Sequence, residues 1–472
     1  MRSIYLSKMW NLIDLPAYFI RFENENKLFE KRLLDQKFWA FVRWSVYDAI
    51  LKIGYHEDNR THNKKSKYFK YIIALYRYFF IRRKIIHQNY DLVFVNTSGR
   101  KKDYENIEID SYSYPIIQKL KNHYNILLID LFADNILPEY NCDSLPMYGT
   151  ELLDRSLELF MRFSNQDFLY VNLLSQKINS YFDVSSNVSK IIKRNFFLQY
   201  FKLNRFKKIL SKCSVKVLVH VNNGSVSGII EAANQLGIKV VELQHGQVTD
   251  LHVAYNYYTE NSSNYAVPDF ILTFGKFWND SIKYKCHKEA VGYPYLDIIR
   301  KKIEKKISKD KNKIIVISDS FFTRKELVAI TMELARLLPE YIIYYKLRLE
   351  EYDNWKVYYP KEFQTTMNIV VIDNNNRNLY EYFQEVTYQI GTGSTALFEG
   401  LAFGVETFIL NIGLYLIFNN LIEKKIVSLV TNANEVLDLM KKNTNSNKYE
   451  ITDDLFLIDS LEKMESFFYK LL

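Results

Sequence analysis

A glycine-rich stretch, Gln389–Gly404 (QIGTGSTALFEGLAFG), constrains the fold of this 472-residue chain more than any other segment. An apolar lead-in runs into Gly391 and Gly393, and a helical pattern begins at Ser394 or Thr395. This order predicts a strand, a tight turn and a helix N-terminus capped by a hydroxyl side chain. The first amide N–H groups of a helix and the positive end of its dipole face whatever lies above such a turn. The stretch therefore predicts a site for phosphate or carboxylate; a turn that serves packing alone is the alternative.

Short apolar strands alternate with helical patterns over most of the remaining chain. The predicted strands cover residues 91–96, 126–131, 216–221, 239–243 and 269–273, and then 313–317, 341–347, 369–372 and 406–410. Such alternation predicts an α/β fold with parallel, doubly wound sheets. Because 472 residues are too many for one ordinary core, two domains are expected.

The predicted domain boundaries follow changes in composition. Residues 1–88 read as a helical, basic and aromatic N-terminal region, residues 89–299 as one α/β domain and residues 300–472 as a second. The run 300–313 (RKKIEKKISKDKNK) has no apolar face and is predicted to be the linker; a solvated helix within one domain is the alternative. Two α/β halves of this kind face each other across a cleft, where substrates usually bind.

One segment of the N-terminal region, Lys64–Lys84 (KKSKYFKYIIALYRYFFIRRK), places an aromatic and isoleucine-rich centre between two clusters of cations. This pattern is typical of a helix that lies on an anionic membrane surface. A core-packing helix with solvated ends is the alternative. The apolar centre, interrupted by Arg77, is too short to span a bilayer.

The net charge and the number of cysteines narrow the classes of ligand and the cell compartment that this chain suits. A net charge of +9 is compatible with anionic substrates or an anionic membrane face, whereas no recognised nucleic-acid module appears, so no nucleic-acid partner is predicted. Three widely separated cysteines form neither a disulfide framework nor a metal site, which predicts a reducing cytoplasm. The first 19 residues do not form a signal-peptide pattern. We expect no bound metal and no cofactor.

His245 is the best candidate for a reactive side chain. It follows the strand 239–243, and a neutral imidazole can accept a proton from a hydroxyl as general base. Asp250 and His252 are close enough in sequence to support or replace it. Ligands of open α/β sheets bind beyond the carboxyl ends of the strands, so the 222–225 turn (with Asn223 and Ser225) is expected at the same edge.

The second half offers candidates for holding a phosphorylated group. Ser394 and Thr395 would bind phosphate through hydroxyls and backbone amides, with Gly393 leaving room for the ligand. Glu399, one turn later, is placed to accept bonds from ribose hydroxyls, and Lys346 to balance phosphate charge; a helix-face Glu and a solvated Lys are the alternatives. Ser320, with its neighbours Ser318 and Asp319, follows another strand end and gives a weaker signal.

Several short motifs occur in a fixed order, most clearly between residues 215 and 410. They are Gly237-Ile238, Glu242–Gly246, Pro268–Phe270, Phe274–Trp278, Gly292–Leu296, Tyr345–Leu347, Glu351–Asp353 with Trp355, and Gly391–Gly404. In these motifs the chain resembles the bacterial capsule and lipo-oligosaccharide synthesis proteins with a GT-B-type glycosyltransferase fold. The resemblance covers roughly residues 90–435.

The resemblance implies two Rossmann-like domains facing across a cleft, and glycosyl transfer from a nucleotide-activated sugar to a growing surface glycan. The donor would bind the second domain with its phosphate at Ser394 and Thr395. A glycan or lipid-linked glycan acceptor would approach from the first domain near His245, Gln244 and the 222–225 turn. The protein would work in the cytoplasm, on the inner face of the membrane if the N-terminal helix binds lipid.

The chain departs from that family at one motif. Relatives commonly have His-Pro after the Lys-Leu of the second domain, whereas this chain reads Lys346-Leu347-Arg348-Leu349. In relatives that use CMP-activated acidic sugars, that histidine helps to hold the nucleotide phosphate. Arg348 would supply a permanent positive charge instead.

Two alternatives to a glycosyltransferase stay open on the sequence. One is a transferase of the same fold that moves a polyol phosphate from a CDP-linked donor, since related wall-polymer enzymes place a base at a similar His-Gly turn. The other is a catalytically silent glycan- or nucleotide-binding subunit of a capsule-assembly complex, which the missing His-Pro pair would explain.

Overall fold

The structure is a computed structural model of the whole chain. It describes residues 14–54, 67–96, 100–102, 108–131, 140–221, 223–256, 265–303, 309–319, 323–442 and 454–472. Its helices are α1 (Leu15–Glu25), α2 (Trp39–Gly54), α3 (Lys67–Ile85), α4 (Tyr114–Leu120), α5 (Thr150–Phe160), α6 (Asn165–Tyr181), α7 (Val188–Leu210), α8 (Asn223–Gln235), α9 (Pro294–Ile303), α10 (Arg324–Leu337), α11 (Trp355–Tyr358), α12 (Lys361–Thr365), α13 (Leu379–Glu385), α14 (Thr395–Leu401), α15 (Asn419–Glu423), α16 (Ala433–Lys441) and α17 (Ser460–Leu471).

The strands form two large sheets and two small ribbons. In chain order they are β1 (Arg32–Leu33), β2 (Gln36–Lys37), β3 (Leu92–Asn96), β4 (Arg100–Lys102), β5 (Glu108–Asp110), β6 (Ile126–Asp130), β7 (Asp143–Pro146), β8 (Val217–Val221), β9 (Lys239–Leu243), β10 (Phe270–Thr273), β11 (His287–Ala290), β12 (Asp310–Ile317), β13 (Ile342–Lys346), β14 (Ile369–Ile372), β15 (Val386–Gly391), β16 (Glu406–Leu410) and β17 (Ser428–Val430).

Both large sheets are parallel and share one topology. The first has the order β11-β10-β9-β8-β3-β6-β7, and the second has β14-β13-β12-β15-β16-β17. In each, the first strand of the domain lies at the centre and the chain then builds outward on either side, which is the Rossmann order. The predicted α/β fold with two doubly wound domains in a GT-B-like arrangement is therefore confirmed.

Of the four edge strands of the large sheets, the sequence predicts β14 but not β7, β11 or β17. Central strands such as β3 and β8 are fully buried apolar runs, which is why their composition predicts them. The edge strands β7, β11 and β17 are short and carry polar residues on their open side, so they have no such signature. Residues 300–303 of the predicted linker belong to α9, and residues 310–313 to β12.

The N-terminal helices pack on the first sheet instead of forming a separate layer. Phe19 on α1, Trp39 on α2 and Tyr78 on α3 belong to one buried cluster with Val93 and Val95 of β3. The last helix, α17, although assigned by sequence to the 300–472 domain, also packs there, because its apolar face is buried with β3 and α4. The chain therefore returns to its first domain at the end.

An aromatic cluster joins the two domains. The ring centroids of Trp278 in the first domain and Phe398 on α14 are 4.9 Å apart. The Phe398 ring stacks on the Phe418 ring, with centroids 4.1 Å apart. Tyr295 packs on Tyr380 across the same boundary, with ring centroids 5.8 Å apart. These rings lie in one buried apolar cluster with residues from both sheets, so burial of apolar surface fixes the relative position of the domains.

Replacing Phe398 with alanine is expected to destabilise the protein by about 3–5 kcal/mol, because it removes a fully buried ring from this cluster. The measurement is thermal or urea unfolding of both proteins. Phe160→Ala is the matched control, since the Phe160 ring is 83% exposed and its loss should change stability by less than about 0.5 kcal/mol. Equal effects of the two substitutions would contradict the assignment of Phe398 to an interdomain core.

Candidate functional site

A cavity of about 530 Å³ lies at the carboxyl edge of the second sheet. It opens beyond the ends of β12 and β15, the two neighbouring strands where the order of the sheet reverses. Ligands of doubly wound sheets bind at this place. The cavity is lined by Gln247, Ser318, Asp319, Thr323, Arg348, Leu349, Glu350, Gly393, Ser394, Thr395, Gly413 and Leu414.

The glycine turn forms one wall of the cavity, as the sequence predicts. Ser394 caps α14, since its hydroxyl accepts a hydrogen bond from the amide of Ala396 at 3.3 Å. Asp319 lies just after the end of β12, and its carboxylate accepts a hydrogen bond from the Thr392 hydroxyl at 2.8 Å. A Cβ atom on Gly393 would lie 2.9 Å from the Asp319 carboxylate, so this position requires glycine.

Asp319 is also the most buried carboxylate of the cavity wall. Burial raises its pKa, opposed by the Thr392 hydrogen bond and by the charge of Arg348. The Asp319 carboxylate thus fixes the glycine turn through its hydrogen bond with Thr392.

Arg348 brings the main positive charge to the cavity. Its guanidinium donates to the backbone carbonyl of Asp319, and its Nε lies 2.7 Å from the Glu350 carboxylate. The Nη2 group makes no hydrogen bond to the described residues. Arg348 therefore has a donor left for a ligand in the cavity.

The loop that carries Arg348 is fixed by the buried carboxylate of Glu351. That carboxylate accepts hydrogen bonds from the Ser318 hydroxyl at 2.8 Å and from the Arg348 amide at 3.0 Å. It also accepts from Arg324, the first residue of α10, at 3.1 Å. Glu351 thus ties together the end of β12, the start of α10 and the Arg348 loop.

Two helices begin at the cavity. Thr323 precedes α10 and Ser394 precedes α14, and both residues line the cavity wall. Each helix N-terminus presents a partial positive charge of roughly half an elementary charge. Together with Arg348, the two helix ends favour an anionic group between them.

The first domain closes the cavity through its His-Gly turn. The Gln247 amide donates to the Thr395 hydroxyl at 3.1 Å, and a Cβ atom built on Gly246 would lie 3.4 Å from the same oxygen. Gln244 fixes this turn, since its side chain donates to the Gly246 carbonyl at 2.7 Å and accepts from the Phe274 amide at 2.8 Å. The predicted proximity of the two motifs is therefore present, although the His245 ring is not part of the cavity wall.

The His245 ring is oriented by a buried relay of hydroxyl and carboxylate. Its Nδ1 lies 3.3 Å from the Tyr255 hydroxyl, which in turn donates to the Glu242 carboxylate at 2.9 Å. Because the single Tyr255 proton is used on Glu242, Nδ1 is the donor to Tyr255 and Nε2 carries the lone pair. Burial lowers the His245 pKa to about 4, so the ring is neutral at pH 7 and can accept a proton.

The N-terminal helices hold this relay in place. Arg43 on α2 donates to the carbonyls of Val253 and Asn256, on either side of Tyr255. The Arg43 guanidinium is itself buried and paired with Glu23 on α1, with Nε and Oε1 2.5 Å apart. The region 14–54 therefore contributes to the geometry around His245.

The other candidates on the His245 loop lie away from the cavity. Asp250 is exposed and 3.5 Å from Lys283. The His252 ring stacks on Trp44, with ring centroids 5.4 Å apart, and burial lowers its pKa to about 3. Neither side chain lines the cavity, so their predicted catalytic role has no support from this arrangement.

The other residues that the sequence predicts for the site do not line the cavity in the part of the chain that the structure describes. Lys346 turns toward the Tyr352 ring and hydroxyl, and burial lowers its pKa to about 8. Glu399 is 95% buried on α14, behind the cavity wall. Ser225 lies in the first turns of α8, where its carbonyl accepts from Gln199 at 3.2 Å. Ser320 and the side chain of Asn223 fall outside the described residues.

Several residues of the site have no sequence signature of their own. Gln247 and Thr323 contribute to the cavity because of where their loops end, and Tyr255 and Glu242 are brought to His245 by packing. Glu242 and Glu351 lie within motifs of the family resemblance, Glu242–Gly246 and Glu351–Asp353, although the motifs assign them no role. Across the described parts of the chain, no group of three or more His, Cys, Asp or Glu side chains is arranged to hold a metal ion.

Comparison with known proteins gives matches among solved structures alone. No protein-family model matches the chain, and no curated protein matches it. The UDP-GlcNAc 2-epimerase of Neisseria meningitidis, bound to UDP-GlcNAc, is 11% identical, with a TM-score of 0.48 over 80% of this chain and 99% of that one. UGT71G1 of Medicago truncatula, complexed with UDP-glucose, is 13% identical, with a TM-score of 0.48 over 82% and 99%. The identities are too low for the ligands of those proteins to be assigned to this chain.

The buried histidine beneath the site predicts a loss of stability in acid. His220 on β8 is fully buried, and burial lowers its pKa to about 3. Below pH 6.5 the unfolded chain binds a proton at this residue and the native protein does not, so the free energy of unfolding falls as pH falls. Between pH 6.5 and 5 this one residue should cost about 2 kcal/mol, at roughly 1.4 kcal/mol per pH unit.

The measurement is urea unfolding of the wild type and of His220→Leu at pH 7 and pH 5. The wild type should lose about 2 kcal/mol more than the variant over this interval. Between pH 7 and 8 the two proteins should change in parallel, which is the internal control. Equal losses between pH 7 and 5 would show that His220 is protonated in the native protein.

Proposed function

We propose that this protein is a glycosyltransferase that uses a nucleotide-activated sugar, with the nucleotide phosphate held in the cavity at the start of α14. The observation that carries the proposal is the convergence of two helix N-termini and Arg348 on one cavity that the His245 turn closes. The family resemblance of the sequence motifs supports the same activity. It also supports a capsule or lipo-oligosaccharide glycan as the acceptor.

The cavity suits a donor of this chemistry in size and charge. A volume of about 530 Å³ lies within the range of roughly 300–1,000 Å³ that small-molecule sites occupy. The phosphate group would accept hydrogen bonds from the amides of the glycine turn and from the Nη2 group of Arg348. Arginine binds phosphate through a planar, permanently charged fork. Its present pairing with Glu350 positions the guanidinium before a ligand arrives.

His245 supplies the base in this proposal. The acceptor hydroxyl loses its proton to Nε2 of His245 as its oxygen forms a bond to the anomeric carbon of the donor sugar. The bond from that carbon to the phosphate oxygen breaks, and its electron pair stays with the nucleotide. Arg348 and the two helix ends stabilise the charge that grows on the leaving phosphate. Glu242 and Tyr255 keep the Nδ1 proton in place, so that Nε2 is the accepting atom.

Replacing Arg348 with glutamine should weaken nucleotide binding by tenfold to a hundredfold, since a charge-assisted hydrogen bond contributes roughly 1.5–3 kcal/mol. The measurement is calorimetric titration with the tightest ligand found among CMP, CDP, UDP and GDP in a thermal-shift screen. Arg336→Gln, on the exposed face of α10, is the matched control and should bind as the wild type does. Unchanged affinity in Arg348→Gln would place the phosphate elsewhere.

Replacing His245 with alanine should lower turnover by about 100- to 10,000-fold, the usual contribution of a general base, while nucleotide affinity stays within twofold. Tyr255→Phe should lower turnover less and shift the pH profile, because it removes the acceptor for the Nδ1 proton. His287→Ala, an exposed histidine on β11, is the control. Full activity in His245→Ala would rule out the assigned base.

The same assay separates the alternative functions. Product that gains a sugar and no phosphorus supports the glycosyltransferase. Product that gains phosphorus supports the CDP-polyol phosphotransferase. Nucleotide binding without turnover on any donor supports the silent binding subunit.

A further inference from the structure

Helix α3 is apolar on two opposite faces. One face, with Ala74, Tyr78 and Ile85, is buried against the first domain. The opposite face exposes Ile72 (57%), Ile73, Tyr76 (73%), Phe79 and Phe80 (56%). A soluble helix normally has one apolar face, which packs on the core, and a polar face on the opposite side. The exposed face of α3 therefore calls for a partner.

Helices α5 and α6 also expose apolar side chains. The start of helix α5 lies directly beside α3. A Cβ atom built on Gly149 would lie 2.2 Å from the Leu75 amide nitrogen. The rings of Tyr71 and Tyr148 stack with their centroids 4.4 Å apart. At its far end α5 exposes Leu159 (74%) and Phe160 (83%).

Helix α6 is separated from α5 by four residues and adds three side chains that are more than half exposed. These are Phe168, Leu169 and Leu173. We call this combined surface of α3, α5 and α6 the α3–α6 face. Clusters of exposed apolar side chains that are rimmed by charged residues mark interaction sites.

The charges on the α3–α6 face are almost all positive or neutralised. The α3 sequence (KYFKYIIALYRYFFIRRKI) has six cations and no acidic residue. Arg77, Arg83 and Lys84 are exposed beside the apolar stripe, and Arg162 is exposed in the turn between α5 and α6. The acidic residues of α5 are paired with cations: Glu151 with Arg155, Asp154 with Arg205 and Glu158 with Lys193.

We propose that the α3–α6 face binds the surface of an anionic phospholipid bilayer. Aromatic and aliphatic side chains would enter the boundary between headgroups and acyl chains, and the cations would lie on the phosphates. Stable binding of this kind requires both signals, and this face has both. Within the described residues, no helix combines the length and apolar character needed to cross a bilayer, so the contact is peripheral.

The middle of helix α3, at Leu75, lies beside Gly149, which follows β7 at the carboxyl edge of the first sheet. The His245 turn follows β9 at the same carboxyl edge, four strands away from β7. If the proposed function holds, an acceptor anchored in the bilayer by a lipid would reach His245 from this side. This consequence rests on the proposed function, whereas bilayer binding does not.

The experiment is cosedimentation of the full-length protein with large unilamellar vesicles of phosphatidylcholine, with and without 30% phosphatidylglycerol, at about 0.1 M salt. We expect binding to the anionic vesicles and at least tenfold weaker binding to the neutral ones. Phe79→Ser/Phe80→Ser and Arg83→Glu/Lys84→Glu should each weaken binding at least tenfold. All four side chains are exposed or at the rim, so unfolding curves should match the wild type.

Matched control pairs come from exposed residues of the second domain. Val357→Ser/Met367→Ser and Lys441→Glu/Lys442→Glu make comparable apolar-to-polar and cation-to-anion changes away from the α3–α6 face. Both pairs should bind as the wild type does. The proposal is overturned if the wild type stays in the supernatant with anionic vesicles, or if the control pairs weaken binding equally. It is also overturned if ultracentrifugation shows a dimer that the Phe79→Ser/Phe80→Ser variant abolishes while vesicle binding persists. Because vesicle binding is scored without turnover, failure here leaves the proposed function standing.

Discussion

The contact between the Gln247 amide and the Thr395 hydroxyl is the point at which the two halves of this protein become one site. Each half is a Rossmann-type sheet that by itself presents only an open edge. The aromatic cluster around Trp278 and Phe398 holds these edges together by burying apolar surface between them. The cavity exists because this packing places the His-Gly turn of one domain over the glycine turn of the other.

Positive and negative groups in the cavity wall partly offset each other. Two helix ends and Arg348 contribute positive potential, and the carboxylates of Asp319 and Glu350 offset part of it. Burial raises the pKa of Asp319, and the Thr392 hydrogen bond and the Arg348 charge oppose that effect. Glu351 does not face the ligand space, but its hydrogen bonds fix the positions of the groups that do. Recognition therefore depends on a supporting layer as much as on the residues at the surface of the cavity.

The sequence predicts the architecture well because the central strands are continuous apolar runs and the glycine turn has a specific backbone requirement. It predicts β9, β14 and β16 with the bounds that the structure has. It cannot predict the direction of side chains at strand ends, since this depends on neighbours that are distant in sequence. Lys346 and Arg348 are two residues apart, yet the first packs on Tyr352 and the second lines the cavity.

Packing likewise decides the environment of the histidines. His252 is stacked on Trp44 of α2, and His245 is held by Tyr255, which Arg43 of α2 keeps in place. The N-terminal region is thus part of the site through its buried face, while the opposite face of α3 is the surface proposed to meet lipid.

A structure of the protein soaked with its tightest-binding nucleotide sugar tests the central claim most directly. The account predicts the phosphate within hydrogen-bonding distance of the Ser394 and Thr395 amides and of Arg348, with the sugar directed toward the His245 turn. A phosphate bound anywhere outside the cavity between β12 and β15, or a sugar directed away from His245, would contradict it.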